Sequence, residues 1–269
     1  MRLIDSHSHF DASGFDADRA AVHARAAAAG VVAQVVPAVD AAGWPKLKTV
    51  CAQLPGLHPA YGLHPMYLAS HRPEHLDNLR EWIEREHPVA VGECGLDFFV
   101  EGLDADAQQL YFDAQLQLAR EFELPVIVHA RRAVDAVIAS LRRVGGLRGV
   151  VHSFSGSAEQ AAQLHRLGFL LGIGGPVTFE RANRLRGIVA AMPLEQLLLE
   201  TDSPDQPGST HRGERNEPAY LVEVLDVVAR LRGVEREAIS EATARNAERL
   251  FKLTPPQASD RGPGGSSAA

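Results

Sequence analysis

The chain has 269 residues, 45% of them hydrophobic and 23% charged, the balance of ordinary globular material in one large domain or two small ones. Charged residues interrupt every apolar run well short of membrane-spanning length, no signal-peptide pattern is visible, and Cys51 and Cys94 are too few for a disulfide framework. A membrane location is therefore not expected, and a reducing cytoplasm is. The formal net charge of −7 argues against a long basic groove tracking nucleic acid, but not against a site grasping one phosphodiester, since two divalent cations would bring it to −3.

The first apolar run, LIDSH, leads into Asp5, His7 and His9. Residues two apart in a strand share a face, so these three would form one row. A helix-like DADRAAVHARAAAAG ends on Gly30, VVAQVVPAV reads as a second strand, and WPKLKTVCAQL as its helix. PAYGLHP is a third run before the helical PEHLDNLREWIEREH, and PVAVGECGLD a fourth before DAQQLYFDAQLQLAREFE. LPVIVHAR, RGVVHSFSG and FLLGIGG follow as strands, each with a helix: AVDAVIASLRRVG, SAEQAAQLHRLG and FERANRLRGIVAAM. LEQLLLETDSP contains the eighth strand and EPAYLVEVLDVVARLRG its helix, which Asn216 and Pro218 are expected to start.

Eight strand–helix units, with strands apolar enough to be covered on both faces, predict an α/β protein: a single-domain parallel (β/α)8 TIM barrel over residues 1–253. A doubly wound open sheet is the competing arrangement. The last segment, TPPQASDRGPGGSSAA (254–269), is rich in Pro, Gly, Ser and Ala, and is expected to be a disordered tail.

Ionisable residues gather where these strands end: His7 and His9, His64 in GLHP, Glu93 in VGECGLD, His129 in VIVHAR, His152 in VVHSFSG and Asp202 in LLLETDSP. All strand C-termini of a parallel barrel open on one face, so these seven converge on a single mouth. Burying them costs several kcal/mol apiece unless each is paired or coordinated. Imidazole plus carboxylate is the donor mix of Zn, Mn, Fe or Ni, with Mg preferring more oxygen. Four histidines and two carboxylates (His7, His9, Glu93, His129, His152, Asp202) exceed one tetrahedral ion and suit two divalent ions ~3.5–4 Å apart with a shared carboxylate. His23, His75, His87 and His165, on helices, read as surface residues. No GxxxxGK[ST] loop is present, and GIGG is insufficient for a dinucleotide site. Phe98, Phe99, Phe154 and Phe179 lie near strand ends, where they either stack bases or pack loops.

DSHSHF, GLHP, VGECGLDF, PVIVHARR, VVHSFSG, LLLETDSP and RNEPAY, in this order, resemble the TatD family of metal-dependent hydrolases over about residues 1–253. The resemblance implies an amidohydrolase-like (β/α)8 barrel, a divalent-metal centre and hydrolysis of phosphodiesters, as in a deoxyribonuclease. Carried over by motif, His7 and His9 would hold one metal, His129 and His152 the other, and Glu93 would bridge them. Asp202 would bind the first metal beside the attacking water. Two positions depart from the pattern: TDSPDQPGST stands where TDSPYLAP is usual, nearer to a subgroup reading TDAPDMP, and Cys94 where Ile is frequent. The first bears on substrate identity, and Cys94 reads as a packed apolar residue.

Charge then suggests a mechanism. Two ions acidify a bound water and polarise a phosphate oxygen, and Asp202 accepts the proton and returns one to the leaving oxygen. His64 is assigned to substrate phosphate or transition-state contact, against a histidine that only starts a His-Pro turn. Arg131, two residues after His129, is assigned to phosphate, against a solvated helix-start arginine. The expected substrates are DNA ends or another phosphodiester. A hydrolase of a small amide, lactone or phosphate ester, and a non-catalytic metal-binding protein, are the alternatives. No strand-four lysine suited to a metal-bridging carbamate is present, which favours the phosphodiesterase.

Overall fold

Eight short strands run parallel and pair in chain order: Leu3–Asp5 (β1), Val31–Pro37 (β2), Leu57–Tyr61 (β3), Ala90–Asp97 (β4), Val126–Arg131 (β5), Gly149–Val151 (β6), Phe169–Ile173 (β7) and Leu197–Leu199 (β8). They belong to a computed structural model that describes residues 1–253, so the tail expected at 254–269 lies outside the described residues. Helices alternate with the strands: Arg19–Ala28 (α1), Trp44–Gln53 (α2), Glu74–Glu86 (α3), Ala105–Glu121 (α4), Val134–Val144 (α5), Ala158–Arg166 (α6), Asn183–Ala191 (α7) and Leu221–Arg232 (α8). The architecture is the expected single-domain TIM barrel. Among the described residues no helix is long and apolar enough to cross a membrane.

Strand composition explains the layering. Leu3, Val36, Val91, Val128, Val151 and Leu171 join the large apolar cluster that also contains helix residues such as Leu47, Leu116, Val137 and Val228. Ile4, Ala33, Val35, Ala60, Ala90, Ile127, Val150 and Leu198 instead meet one another inside the barrel. Their cluster includes Ala244, Ala247, Leu250 and Phe251 from a ninth helix, Arg236–Phe251 (α9), so α9 stops the end of the barrel where the strands begin. Ser240 Oγ donates to the Arg2 carbonyl at 2.6 Å, and Asn246 donates to the carbonyls of Leu194 and Leu197 at 2.8 and 2.9 Å, so the helix's polar groups are satisfied as it docks.

Between β8 and β1 the ring is closed by individual bonds. The Ser6 N–H donates to the Leu199 carbonyl at 3.0 Å, and the Asp202 N–H to the His7 carbonyl at 2.9 Å. The buried Asp5 carboxylate accepts from the Thr201 N–H at 3.0 Å and the Thr201 hydroxyl at 2.6 Å. This corrects the row expected of Asp5, His7 and His9: β1 ends at Asp5, strand alternation stops there, and Asp5 braces the seam.

Other departures have local causes. The helix expected from Phe179 begins only at Asn183, because Pro176 opens a 3₁₀ turn over Gly175–Thr178 and the Thr178 hydroxyl receives the Ser209 N–H at 2.7 Å. Asn216 does not cap α8. Its amide donates to the carbonyls of Thr201 and Asp205, both at 2.8 Å, bracing the loop after β8, and Pro218 opens a 3₁₀ turn ahead of the helix. Truncating the interior plug should cost as much as any core aromatic: Phe251→Ala is expected to destabilise by about 3–5 kcal/mol and lower the thermal midpoint by about 10 °C. An unchanged midpoint would mean that α9 is not docked on the barrel interior.

Candidate metal centre

Glu93, in the middle of β4, sits 1% exposed at the barrel mouth, and its two oxygens face different groups. Oε2 lies 3.2 Å from His7 Nε2 and 3.4 Å from His9 Nε2. Asp202 Oδ1 is 3.5 Å from each of the same two nitrogens. Oε1 lies 2.7 Å from His152 Nε2, 2.9 Å from His64 Nε2 and 3.1 Å from His129 Nδ1. All seven residues that the sequence places at strand ends therefore come together. Only Glu93 and His129 are inside strands. His7, His9, His64, His152 and Asp202 stand on the segments that follow them, Asp202 in the left-handed region at φ 56°, which Asp tolerates better than most residues.

Outer bonds decide what each ring presents inward. His9 Nδ1 is 3.2 Å from the Pro37 carbonyl, and His129 Nε2 is 2.8 Å from Asp97 Oδ2. A carbonyl and a carboxylate accept, so those nitrogens carry protons and the neutral rings turn a lone pair inward. His64 is the reverse. Its Nδ1 accepts the Met66 N–H at 3.1 Å, so its Nε2 is the proton-bearing nitrogen and donates to Glu93. His64 both starts its turn and reaches the centre.

Lone pairs and carboxylate oxygens thus face one another with little between them. His7 Nε2 and His9 Nε2 are 3.3 Å apart, and Glu93 Oε2 is buried with no hydrogen-bond partner. Protons are drawn in to compensate. Burial opposes charge on His9 and His152, yet the Glu93 and Asp202 carboxylates push them up to about 9 and about 10. Burial and the charge on His152 push His7 down to about 4. Burial would raise Glu93, but the rings of His152, His64 and His7 hold it well below the usual carboxylate range. A cation satisfies such a donor set directly, and this is the test the site passes: His7, His9 and Asp202 place ligand atoms within 4.8 Å of one another, as do His7, Glu93 and His152, and His64, Glu93 and His129.

Three neighbours were not singled out in the sequence. Asp97 fixes His129, and strand alternation from Glu93 was its signal, because residues 93, 95 and 97 share a face. Gly95 between them has φ 144°, and a Cβ there would collide with the His129 backbone. Glu200, wholly buried, accepts the Ser153 N–H at 2.5 Å and lies 3.8 Å from His152 Nδ1, with burial pushing it up to about 8. Its carboxylate fills the space that a Cβ at Gly172 would need. Gln206, in the unusual TDSPDQPGST segment, donates its amide to Asp202 Oδ2 and accepts from the Ser153 hydroxyl at 2.9 Å. No periodicity marks Gln206, because it lies on a loop.

Other candidates do not join the cluster. Arg131 is exposed, its guanidinium 3.7 Å from the centre of the Phe99 ring. Phe154 is 2% exposed and packs in the core, which removes it as a base-stacking residue, and Phe179 is half-buried. Cys94 is fully buried, as expected of a packed side chain, and burial pushes its thiol up.

Comparison with known proteins gives the family that the chain resembles in sequence and fold. The sequence profile of a family described as TatD related DNase matches residues 4–252. The uncharacterized metal-dependent hydrolase YjjV of Escherichia coli K12 is 40% identical over 255 residues, covering 94% of this chain and 98% of that protein. The crystal structure of YjjV, a TatD homolog, superposes with a TM-score of 0.90 at 39% identity, over 94% of this chain and 99% of that one. A protein of Pantoea sp. named 3'-5' ssDNA/RNA exonuclease TatD is 36% identical over 269 residues, covering 93% of this chain and all of that protein.

If Asp97 fixes the inward lone pair of His129, Asp97→Ala is expected to weaken divalent-cation binding about 10–100-fold in calorimetry run well below the variant's thermal midpoint, which falls because the Phe99 and Val100 N–H groups lose the same acceptor. Unchanged affinity would remove Asp97 from the site.

Proposed function

The chain belongs to the TatD family of metal-dependent hydrolases, and from that premise we propose that it hydrolyses phosphodiester bonds with two divalent cations, as a nuclease acting at DNA ends. His7, His9, Asp202 and Glu93 Oε2 would hold one cation, and His129, His152 and Glu93 Oε1 the other. The observation that carries this reading is the buried Glu93 carboxylate, whose two oxygens lie nearest to different imidazoles. The nitrogen-rich donor set favours Zn, Mn, Ni or Fe, with Mg as the more oxygen-seeking alternative. Divalent cations supply charge that lowers the pKa of water toward neutrality and polarises a phosphoryl oxygen. The name of the Pantoea relative, a 3'-5' ssDNA/RNA exonuclease, supports a nucleic-acid substrate.

The chain's own residues divide the remaining work. Asp202 Oδ1 faces His7 and His9 while Gln206 holds Oδ2, so the carboxylate is oriented at the more open side of the centre, where the Asp202 side chain is 11% exposed and His9 18%. It accepts the proton of the attacking water and returns one to the leaving oxygen. His64 gives its one N–H to Glu93, so it would orient that carboxylate and not touch the phosphate assigned to it from the sequence. Arg131, at the end of the strand that carries His129, supplies positive charge to the phosphate.

Chelated protein is expected to lose hydrolysis of a single-stranded DNA oligomer and to regain it with Mn²⁺, Mg²⁺ or Zn²⁺. Asp202→Asn should fold, yet lower kcat by roughly 100-fold or more, the size of a lost general base. Full activity in thoroughly chelated protein, wild-type turnover in Asp202→Asn, or cleavage of small amides or lactones with none of DNA would contradict the proposal.

A further inference from the structure

Among the described residues the exposed aromatic side chains are Tyr67, Phe98 and Phe99, at 44%, 44% and 42% exposure, and all three stand on the loops that follow the neighbouring strands β3 and β4. Scattered single apolar residues on a surface need no explanation, but gathering every exposed aromatic beside one polar centre does. These rings are tied to the centre itself. Tyr67 packs edge-on against His64, ring centres 5.8 Å apart. Phe98 donates its N–H to the Arg131 carbonyl at 2.9 Å. Phe99 donates its N–H to Asp97 Oδ1 at 2.8 Å, while the other oxygen of Asp97 holds His129. One carboxylate therefore fixes both a ring of the centre and the aromatic loop above it.

Two cations complete the rim. The guanidinium carbons of Arg131 and Arg132 lie 3.7 and 4.6 Å from the centre of the Phe99 ring. Neither guanidinium has a carboxylate or carbonyl partner among the described residues. Phe99 is thus occupied as a backing plate for two positive charges, while Tyr67 and Phe98 are exposed without a cation from the described residues over their rings. In a protein of net charge −7, a negatively charged polymer needs such a local positive patch to approach.

We propose that this rim grips a single-stranded polynucleotide: an unpaired base lies against Tyr67 and Phe98, and Arg131 and Arg132, held together on Phe99, take the phosphates beside it. The inference rests on the nuclease reading above and adds to it how a strand is selected. Inside a duplex both faces of each base are covered by stacked neighbours, so only an unstacked base can offer a face to an aromatic ring. Stacking is indifferent to base identity, so the selection is for single strands and not for sequence.

The test measures binding of a phosphorothioate single-stranded DNA oligomer to the full chain in Mg²⁺, beside a fully abasic oligomer of the same length. The wild type is expected to bind the abasic oligomer about tenfold more weakly, and the Tyr67→Ala/Phe98→Ala variant to bind both oligomers alike at that weaker level. Phe98→Trp, with Tyr67 intact, should keep the preference for bases. Arg131→Ala and Arg132→Ala should leave that preference in place and flatten the slope of log affinity against log salt by roughly 0.7 for each arginine. Equal binding of both oligomers by the wild type, an undiminished preference in the aromatic variant, or an unchanged salt slope would overturn the proposal. Cleavage of an unmodified oligomer separates the two readings: if the wild type still cuts DNA while showing no preference for bases, only the rim falls, and if DNA is neither bound nor cut, the nuclease reading falls with it.

Discussion

The Glu93 carboxylate is 1% exposed and touches five imidazoles, His7 and His9 through one oxygen and His64, His129 and His152 through the other. Removing a carboxylate from water costs several kcal/mol even after the surroundings relax, and the cost is met only where good geometry supplies opposite charge. The mouth of the barrel is arranged to supply it. Asp97 and the Pro37 carbonyl orient His129 and His9 from outside so that their lone pairs face inward, and the Met66 N–H turns the proton of His64 inward instead. The seam between β8 and β1 adds the same discipline at longer range, since Asp5 binds Thr201 while Asp202 binds the His7 carbonyl. Barrel closure and ligand placement are one construction.

The opposite end of the barrel answers a different need. Ile4, Ala33, Val35, Ile127, Val150 and Leu198 line an interior that Leu250 and Phe251 of α9 stop with apolar surface. Stability and chemistry are thereby separated along the barrel axis, with strands a few residues long between them. At the mouth most polar groups face one another, while His7 Nδ1, Glu93 Oε2 and His152 Nδ1 are buried without a hydrogen-bond partner among the described residues. The apolar plug lets the other end exclude water without further polar compensation.

Much of this was legible in the sequence because it follows from periodicity. Alternating strand and helix runs gave the barrel, and the seven ionisable residues at the strand ends do meet. Strand alternation misled at Asp5, because β1 stops there and the Asp5 carboxylate is taken up by Thr201 instead of joining the histidines. The same rule, applied within β4, would have revealed Asp97. Helix α9 escaped notice because its buried face is built largely from Ala242, Ala244, Ala247, Ser240, Thr243 and Asn246, which show weak apolar contrast in a sequence. Gln206 and the paired guanidiniums on Phe99 depend on loop geometry, which no spacing rule anticipates. Phe98 and Phe154 were equal candidates in sequence, and only burial separates the exposed ring from the core one.

The account turns on a single acid shared between two cation sites. Crystals grown with Mn²⁺ and examined by anomalous diffraction at the manganese edge test it most directly. Two peaks are predicted, one beside His7, His9 and Asp202 and one beside His129 and His152, each bonded to a different oxygen of Glu93. A single peak that leaves one of these groups without metal, or peaks that avoid Glu93, would contradict it.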